Sequence, residues 1–222
     1  MNADTKNCTA VLPRAHGRSG RAIAAGAEET LLTGILGGKA SYYADFGLYA
    51  ILLIVLVSVT LPAGRPARWA WALAAIAGAA GWTLIEYLLH RFVFHGVPLI
   101  AALHHAHHLA PRAHISTPTW VSLSLLGGLL FLPIWRLFSL NLAFGATTGL
   151  TAGWLWYGVA HHVIHHRRPR LLARALKAAS SRHLLHHFPS VSGNFGVTTS
   201  LWDRVFGTHI PRRGSAARSR RS

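Results

Sequence analysis

Sixteen of the 222 residues are histidine, and most of them fall into four tight groups. EYLLHRFVFH supplies His90 and His95, and HHAHH supplies His104, His107 and His108. YGVAHHVIHH supplies His161, His162, His165 and His166, and RHLLHHF supplies His183, His186 and His187. Imidazole is the commonest protein metal ligand, and in its neutral form it offers a nitrogen lone pair. On an α-helix, positions i, i+3 and i+4 share a face. His104/His107/His108 and His183/His186/His187 keep that spacing, so each triplet covers one stripe. His161/His165 and His162/His166 are both i, i+4 pairs, one step apart around the helix, and spacing leaves both open. So many ligand-competent histidines exceed the needs of one tetrahedral zinc. They suit two metal ions, each with several imidazoles and an open position. A single cysteine, Cys8, makes neither a disulfide framework nor a thiolate site available. Glu86 and Asp203 are the only acids after the first apolar run, which argues against the Glu-rich di-iron site of ferritin-like bundles. A bis-histidine haem bundle needs single histidines facing each other inside the spans, whereas these cluster at run ends.

The segments that must position these groups are apolar. Hydrophobic residues make up 51% of the chain and charged ones 13%, too few charges for an ordinary soluble surface. Four runs, at about 46–61, 67–89, 119–135 and 137–160, read as spans. The second and fourth meet the usual requirement of about 20 residues, and the first and third need a few residues more or a thinner bilayer. Trp69, Trp71, Trp82, Trp120, Trp135, Trp154 and Trp156 lie near run ends, as an interfacial belt would. Gly78, Gly81, Gly127, Gly128, Gly149 and Gly153 are candidates for close helix approach. Four spans put both termini on one side with all basic residues except Arg65, Arg68 and Arg136, so that side is expected to be cytoplasmic. Every histidine falls there too. The expected fold is all-α: an integral membrane protein with about four transmembrane helices and a cytoplasmic helical cap carrying a histidine-rich dimetal site. Residues 1–44 read as a partly disordered cytoplasmic segment with a short amphipathic helix around EETLLTGIL, 45–210 as the membrane-embedded domain, and 211–222 as a basic disordered tail. The opening residues contain no apolar stretch of signal-peptide type. A net charge of +16 raises the question of nucleic acid, but the arginine-rich tail has no interleaved aromatics to stack bases. No nucleic-acid partner is expected.

These motifs resemble the fatty acid hydroxylase / sterol desaturase superfamily of integral-membrane, histidine-box di-iron oxygenases. The resemblance is carried by Glu86 to His95, His104 to Pro111 (HHAHHLAP), Tyr157 to His165, and RHLLHHFPSVSGNFGVTTSLWDRVFGT from Arg182 to Thr208. It covers roughly Gly81 to Thr208, and its last motif looks most like the fatty acid 2-hydroxylases. Carried over residue by residue, it implies metal ligation by His90, His95, His104, His107, His108, His161, His165, His183, His186 and His187. A family tyrosine four residues before a ligand matches Tyr157, which selects His161 and His165. The residue after that tyrosine is Gly158, where acyl 2-hydroxylases tend to have Asp. Glu86, one turn before His90, is a candidate acceptor supporting the ligands. Asp203 is expected to fix the LWDRVFG turn, and Asn194-Phe195-Gly196 to form a turn near the site with glycine supplying backbone freedom.

The resemblance further implies two iron ions as cofactors, with zinc a substitute that could occupy but not run the site, and O2 as co-substrate. It implies a lipid substrate, an acyl chain of a fatty acid or sphingolipid-like lipid, drawn from the bilayer. Some relatives carry a fused haem-binding cytochrome domain, for which the 44 leading residues leave no room. Electrons are expected from a separate cytochrome b5- or ferredoxin-like donor with its reductase. The alternatives are a sterol- or carotenoid-type hydroxylase or desaturase using the same metal site, and a non-catalytic membrane metal-binding protein. A transporter would place ionisable residues at mid-span, and none are there. His105 points about 60° outside its stripe by the helical period, and His114 lies beyond Pro111. With His162 and His166, these two have no assigned role.

Overall fold

The computed structural model describes residues 39–60, 64–115, 117–166, 174–188 and 190–211. The expected N-terminal amphipathic helix and the basic tail lie outside these residues. Every regular element among them is helical. α1 spans Lys39–Thr60, seven residues longer at its start than the apolar run. α2 spans Arg65–Leu88, opens with a proline in its first turn, and runs on without a break into a π-helical turn, Leu89–Phe94. α3 is Pro98–Leu109, again started by proline and stopped just before Pro111. α4 is Thr119–Leu137, with a π-helical stretch, Leu125–Phe131, in its middle. α5 is Leu140–His165, capped by the Ser139 hydroxyl, which accepts from the Leu142 amide at 3.2 Å. α6 is Lys177–His186 and α7 is Leu201–Val205.

Three segments, Tyr42–Thr60, Pro66–Phe94 and Thr119–Leu137, are long and apolar enough to cross a membrane. They turn apolar side chains outward, as an integral membrane protein does: Ile54, Ile76 and Leu129 are each more than 60% exposed. α5 is equally long at 26 residues but is not among them. It packs against α1, α2 and α4, and its buried positions include Ala143, Gly145, Thr147, Thr148, Gly149 and Thr151. Those small and hydroxylated residues lower its hydropathy because α5 faces protein rather than lipid.

Close approach of α2 and α5 explains part of the glycine pattern. A Cβ at Gly149 would stand 1.9 Å from the Ala75 carbonyl oxygen, and one at Gly78 2.2 Å from that of Ala146. Only glycine lets the backbones meet there. Gly81, Gly127 and Gly128 were expected to act likewise, yet an added Cβ at any of them meets nothing within 4 Å. The tryptophans divide in a comparable way. Trp69, Trp120 and Trp135 are exposed near helix ends, whereas Trp82 is buried with its ring 5.3 Å from that of Trp154 in edge-to-face contact. Trp82 is core, not interfacial belt.

Candidate metal centre

The ten histidines singled out by spacing and resemblance converge into two groups of five. His90, His95, His104, His108 and His186 form one, and His107, His161, His165, His183 and His187 form the other. In each, the candidate ligand nitrogens all lie within 4.8 Å of one another. His105 is exposed and belongs to neither. His162 and His166 stack on each other at 4.7 Å, beside Tyr42, outside both groups. His114 lies next to them, 4.8 Å from the His166 ring and within hydrogen-bonding distance of the Tyr43 hydroxyl at 3.3 Å. Of the two i, i+4 pairs that spacing left open, His161/His165 is therefore the one within the cluster.

Helix geometry accounts for how each triplet divides. At about 100° per residue, i+4 lies about 40° to one side of i and i+3 about 60° to the other. His104 and His108 thus turn to the first group and His107 to the second, while His183 and His187 turn to the second and His186 to the first. The HxxxxH pair needs a different device. Five residues of α-helix would set His90 and His95 about 140° apart. The π-helical turn Leu89–Phe94, with its wider i to i+5 winding, brings the two rings to a stacked 5.4 Å.

A strap from Gly193 to Thr199 covers the first group. His90 Nδ1 donates to the Phe195 carbonyl at 2.5 Å, and His186 Nδ1 donates to the Gly193 carbonyl at 2.9 Å. With the proton held on Nδ1, the lone pair of each ring sits on Nε2, turned toward the cluster. The Phe195 ring packs against His90, His95 and His186. Two fully buried carboxylates hold the strap. Asp203 accepts from the Phe195 and Gly196 amides, both at 2.8 Å, and from the Thr208 hydroxyl at the same distance. Glu86 accepts from the Val197 amide at 2.6 Å, the Thr198 amide at 2.9 Å and the Thr198 hydroxyl. Glu86 thus acts on the strap backbone, one step further out than an acceptor for a histidine. Asn194, not a glycine, takes the left-handed conformation, at φ 58°, and its side chain pairs with both backbone groups of Ile210. Gly196 is required for space instead: a Cβ there would stand 2.0 Å from the Thr199 carbonyl oxygen.

Burial removes the imidazolium forms. Desolvation, reinforced by neighbouring imidazoles, pushes His95 down to about 4, His108 and His187 to about 3, and His107 to about 2. It holds His104 and His183 far below the usual histidine range. Burial also lowers His186, against the opposing pull of the Gly193 carbonyl and Asp203. These clustered rings are therefore neutral near pH 7, and ring nitrogens within the two groups face one another. His90 and His104 approach at 3.1 Å through Nε2, His95 and His186 at 3.1 Å, and His165 and His183 at 2.9 Å. His107 Nε2 is buried with no hydrogen-bond partner among the described residues. Crowded neutral nitrogens and a buried orphan fit a site that could hold metal ions. An all-imidazole donor set suits iron, zinc and other first-row ions.

A cavity of about 110 Å³ adjoins both groups. Its walls include Phe46, Tyr49, Ile100, Leu103, Trp154 and Leu155, and it reaches His104 of one group and His107 and His161 of the other. Tyr157 lines it as well and stacks on His161 at 5.7 Å.

An all-helical membrane protein with paired imidazole groups beside an apolar cavity belongs to the broad class of membrane histidine-cluster proteins. Comparison narrows the class. The sequence profile of the fatty acid hydroxylase family matches residues 75–208, more than half the chain, and the chain belongs to that family. It is 35% identical over 146 residues to dihydroceramide fatty acyl 2-hydroxylase FAH2 of Arabidopsis thaliana, covering 59% of this chain and 58% of that protein. It is 34% identical over 143 residues to human fatty acid 2-hydroxylase, covering 59% of this chain and 37% of the relative. The chain thus spans little more than half of the first protein and less of the second. A solved structure described as full-length scs7p, with only its hydroxylase domain visible, superposes with a TM-score of 0.63 at 25% identity, covering 77% of this chain and 67% of the other.

The π-helical turn, the strap carbonyls and the strap-holding role of Asp203 were not foreseen from the sequence. The available signals were the five-residue HxxxxH spacing, which no α-helix satisfies, and an acid at position 203 in an otherwise acid-poor chain.

Proposed function

We propose that this chain hydroxylates the acyl chain of a fatty acid or sphingolipid-like lipid, using O2 and two iron ions. The observation that carries this reading is the cavity: a largely apolar pocket that reaches His104, His107 and His161, members of the two five-histidine groups. Family membership and the relatives' names support a lipid substrate.

His90, His95, His104, His108 and His186 would hold one iron, and His107, His161, His165, His183 and His187 the other. When bound, the irons supply the O2 chemistry that an unactivated C–H bond requires, which zinc in the same site would not. The chain's own contribution is position and dryness. Phe46, Ile100, Leu103 and Leu155 accept methylenes and exclude water, while the strap, held by Glu86 and Asp203, keeps His90 and His186 aimed. Tyr157 braces His161 from the cavity side.

The proposed membrane arrangement has four spans, with α5 as the fourth. Contacts from α2 to α5 run in parallel, Trp71 to Gly145 and Ala75 to Gly149, as second and fourth spans would. Both termini and the histidines then lie on the basic, cytoplasmic side. There a separate cytochrome b5- or ferredoxin-like donor and its reductase would deliver electrons. Residues 45–210 are proposed as the catalytic domain.

Lipid extracts of cells with and without the chain test the reading. A new 2-hydroxylated acyl lipid that disappears in His107→Ala and His186→Ala is expected. An unchanged lipid profile contradicts it.

A further inference from the structure

Three acids lie among the described residues, and two of them are fully used. Glu86 and Asp203 each accept three hydrogen bonds in holding the strap. Asp45 is different. It sits on α1 immediately before the apolar run, half-buried, and lines the cavity that reaches His104, His107 and His161. Its one partner among the described residues is the Thr119 hydroxyl, at the start of α4, which donates to Oδ1. Oδ2 has no partner there.

The other polar groups of the wall do not offset that charge. Tyr42 and Tyr49 line the cavity, but their hydroxyls are committed, to His162 Nδ1 at 3.1 Å and to Ser122 Oγ at 2.5 Å. Burial keeps His104 and His107 neutral near pH 7. Among the described residues no lysine or arginine lines the cavity. Asp45 is thus the one wall residue that brings a full charge to an otherwise largely apolar space.

We propose, within the lipid-hydroxylase reading, that Asp45 receives the substrate's head group and restricts it to uncharged groups that donate a hydrogen bond, an acyl amide or a hydroxyl-bearing head. In that reading the oxidised carbon adjoins the acyl carbonyl, so the head group shares the cavity with the histidines. A free fatty acid brings a carboxylate, which meets like charge at a low-dielectric wall without a basic side chain. A simple ester brings only acceptors and leaves Oδ2 without a donor. An N–H or O–H fills that position with a charge-assisted hydrogen bond. A site built around such a bond rejects analogues that lack the donor.

The test measures binding of three probes with one saturated chain length to the purified, iron-loaded full chain without oxygen. The probes are an N-acyl ethanolamide, the methyl ester and the free acid, at about pH 8, where the acid is ionised. The parent should prefer the ethanolamide to the acid by about tenfold or more, with the ester between. Asp45→Asn keeps a carbonyl acceptor and removes the charge, so the acid should gain about tenfold while the ethanolamide stays within about threefold. Asp45→Ala removes both, so the acid should gain and the ethanolamide lose. Thr119→Val leaves the carboxylate in place and should preserve the parent's order, which a mere clamp between α1 and α4 would not predict of these probes. Melting temperatures in detergent check that each variant is folded, and Asp45→Asn, nearly the parent's shape, carries the test if Asp45→Ala is not. Probe ratios within about twofold of the parent in the folded Asp45 variants overturn the proposal, as does a parent that binds the acid best. If the parent binds in the expected order but leaves cell lipids unchanged, the hydroxylase reading fails and the head-group preference stands. If lipids are hydroxylated but the order is absent, the preference alone fails.

Discussion

The two histidine groups have the same number of rings and are held by different means. The group of His90 and His186 draws its rings from the π-helical end of α2, from α3 and from α6, and backbone carbonyls of a strap fix two of them. The group of His107 and His183 draws only on α3, α5 and α6. His183 Nδ1 is buried without a partner among the described residues, and the ring beside Tyr157 is held by stacking. One group is aimed by hydrogen bonds and the other by helix packing. A perturbation of either support should therefore act on one group before the other.

The largest effect should come from removing a ligand on either side. His186→Ala and His107→Ala should each lower hydroxylated lipid by more than about 100-fold, because changes one step further out already cost about 10–100-fold. Quantitative lipid analysis per unit of protein checks this.

The comparison sharpens with changes to the supports. Asp203→Asn turns an amide group toward the Phe195 or Gly196 N–H and should loosen the strap. Metal affinity of the first group alone should fall about 10–100-fold, and stability by about 1–3 kcal/mol. Ala160→Val overfills the fully buried contact between α5 and α6, where Ala160, Val163, Leu176 and Ala179 pack together. It should cost about 1–3 kcal/mol and weaken the second group first. Metal titrations of both variants would show opposite sites failing. Identical titration curves would break the distinction.

Acid should act more gradually. In the folded chain His95, His107, His108 and His187 have pKa values lowered to between about 2 and 4, against 6.5 for a free ring. Between those limits the unfolded chain binds more protons than the folded one. The contribution of these rings to stability is thus complete above pH 6.5 and lost as pH falls from there through about 4 to about 2. Melting temperatures of the metal-free chain in detergent should fall over that interval. Smallest of all, His105→Ala and His114→Ala should leave metal content unchanged and stability within about 0.5 kcal/mol.

Much of the site was legible in the sequence because helical spacing turns residue numbers into directions. The triplets at 104 and 183 announce a shared stripe, while spacing left His161 and His162 level and only the family resemblance, through Tyr157, picked His161. Their division between two groups was not legible, because a stripe about 100° wide can serve one site or two. The π-helical turn was hidden for another reason: the five-residue spacing of His90 and His95 says that an α-helix does not align them, while the winding that does depends on tertiary packing. α5 was readable as a long apolar run, while its place at the centre of the helices follows from contacts between distant segments. Trp82 and Gly127 were misplaced for the same reason, since composition at a run end does not say whether a neighbouring helix is there.

The most direct test of the central claim is the metal content of the purified chain and of two variants. Iron-loaded parent protein should carry about two ions per chain, and His186→Ala and His107→Ala about one each, lost from opposite groups. A parent that binds a single ion, or variants that both keep two, would contradict a centre built from two sets of five histidines.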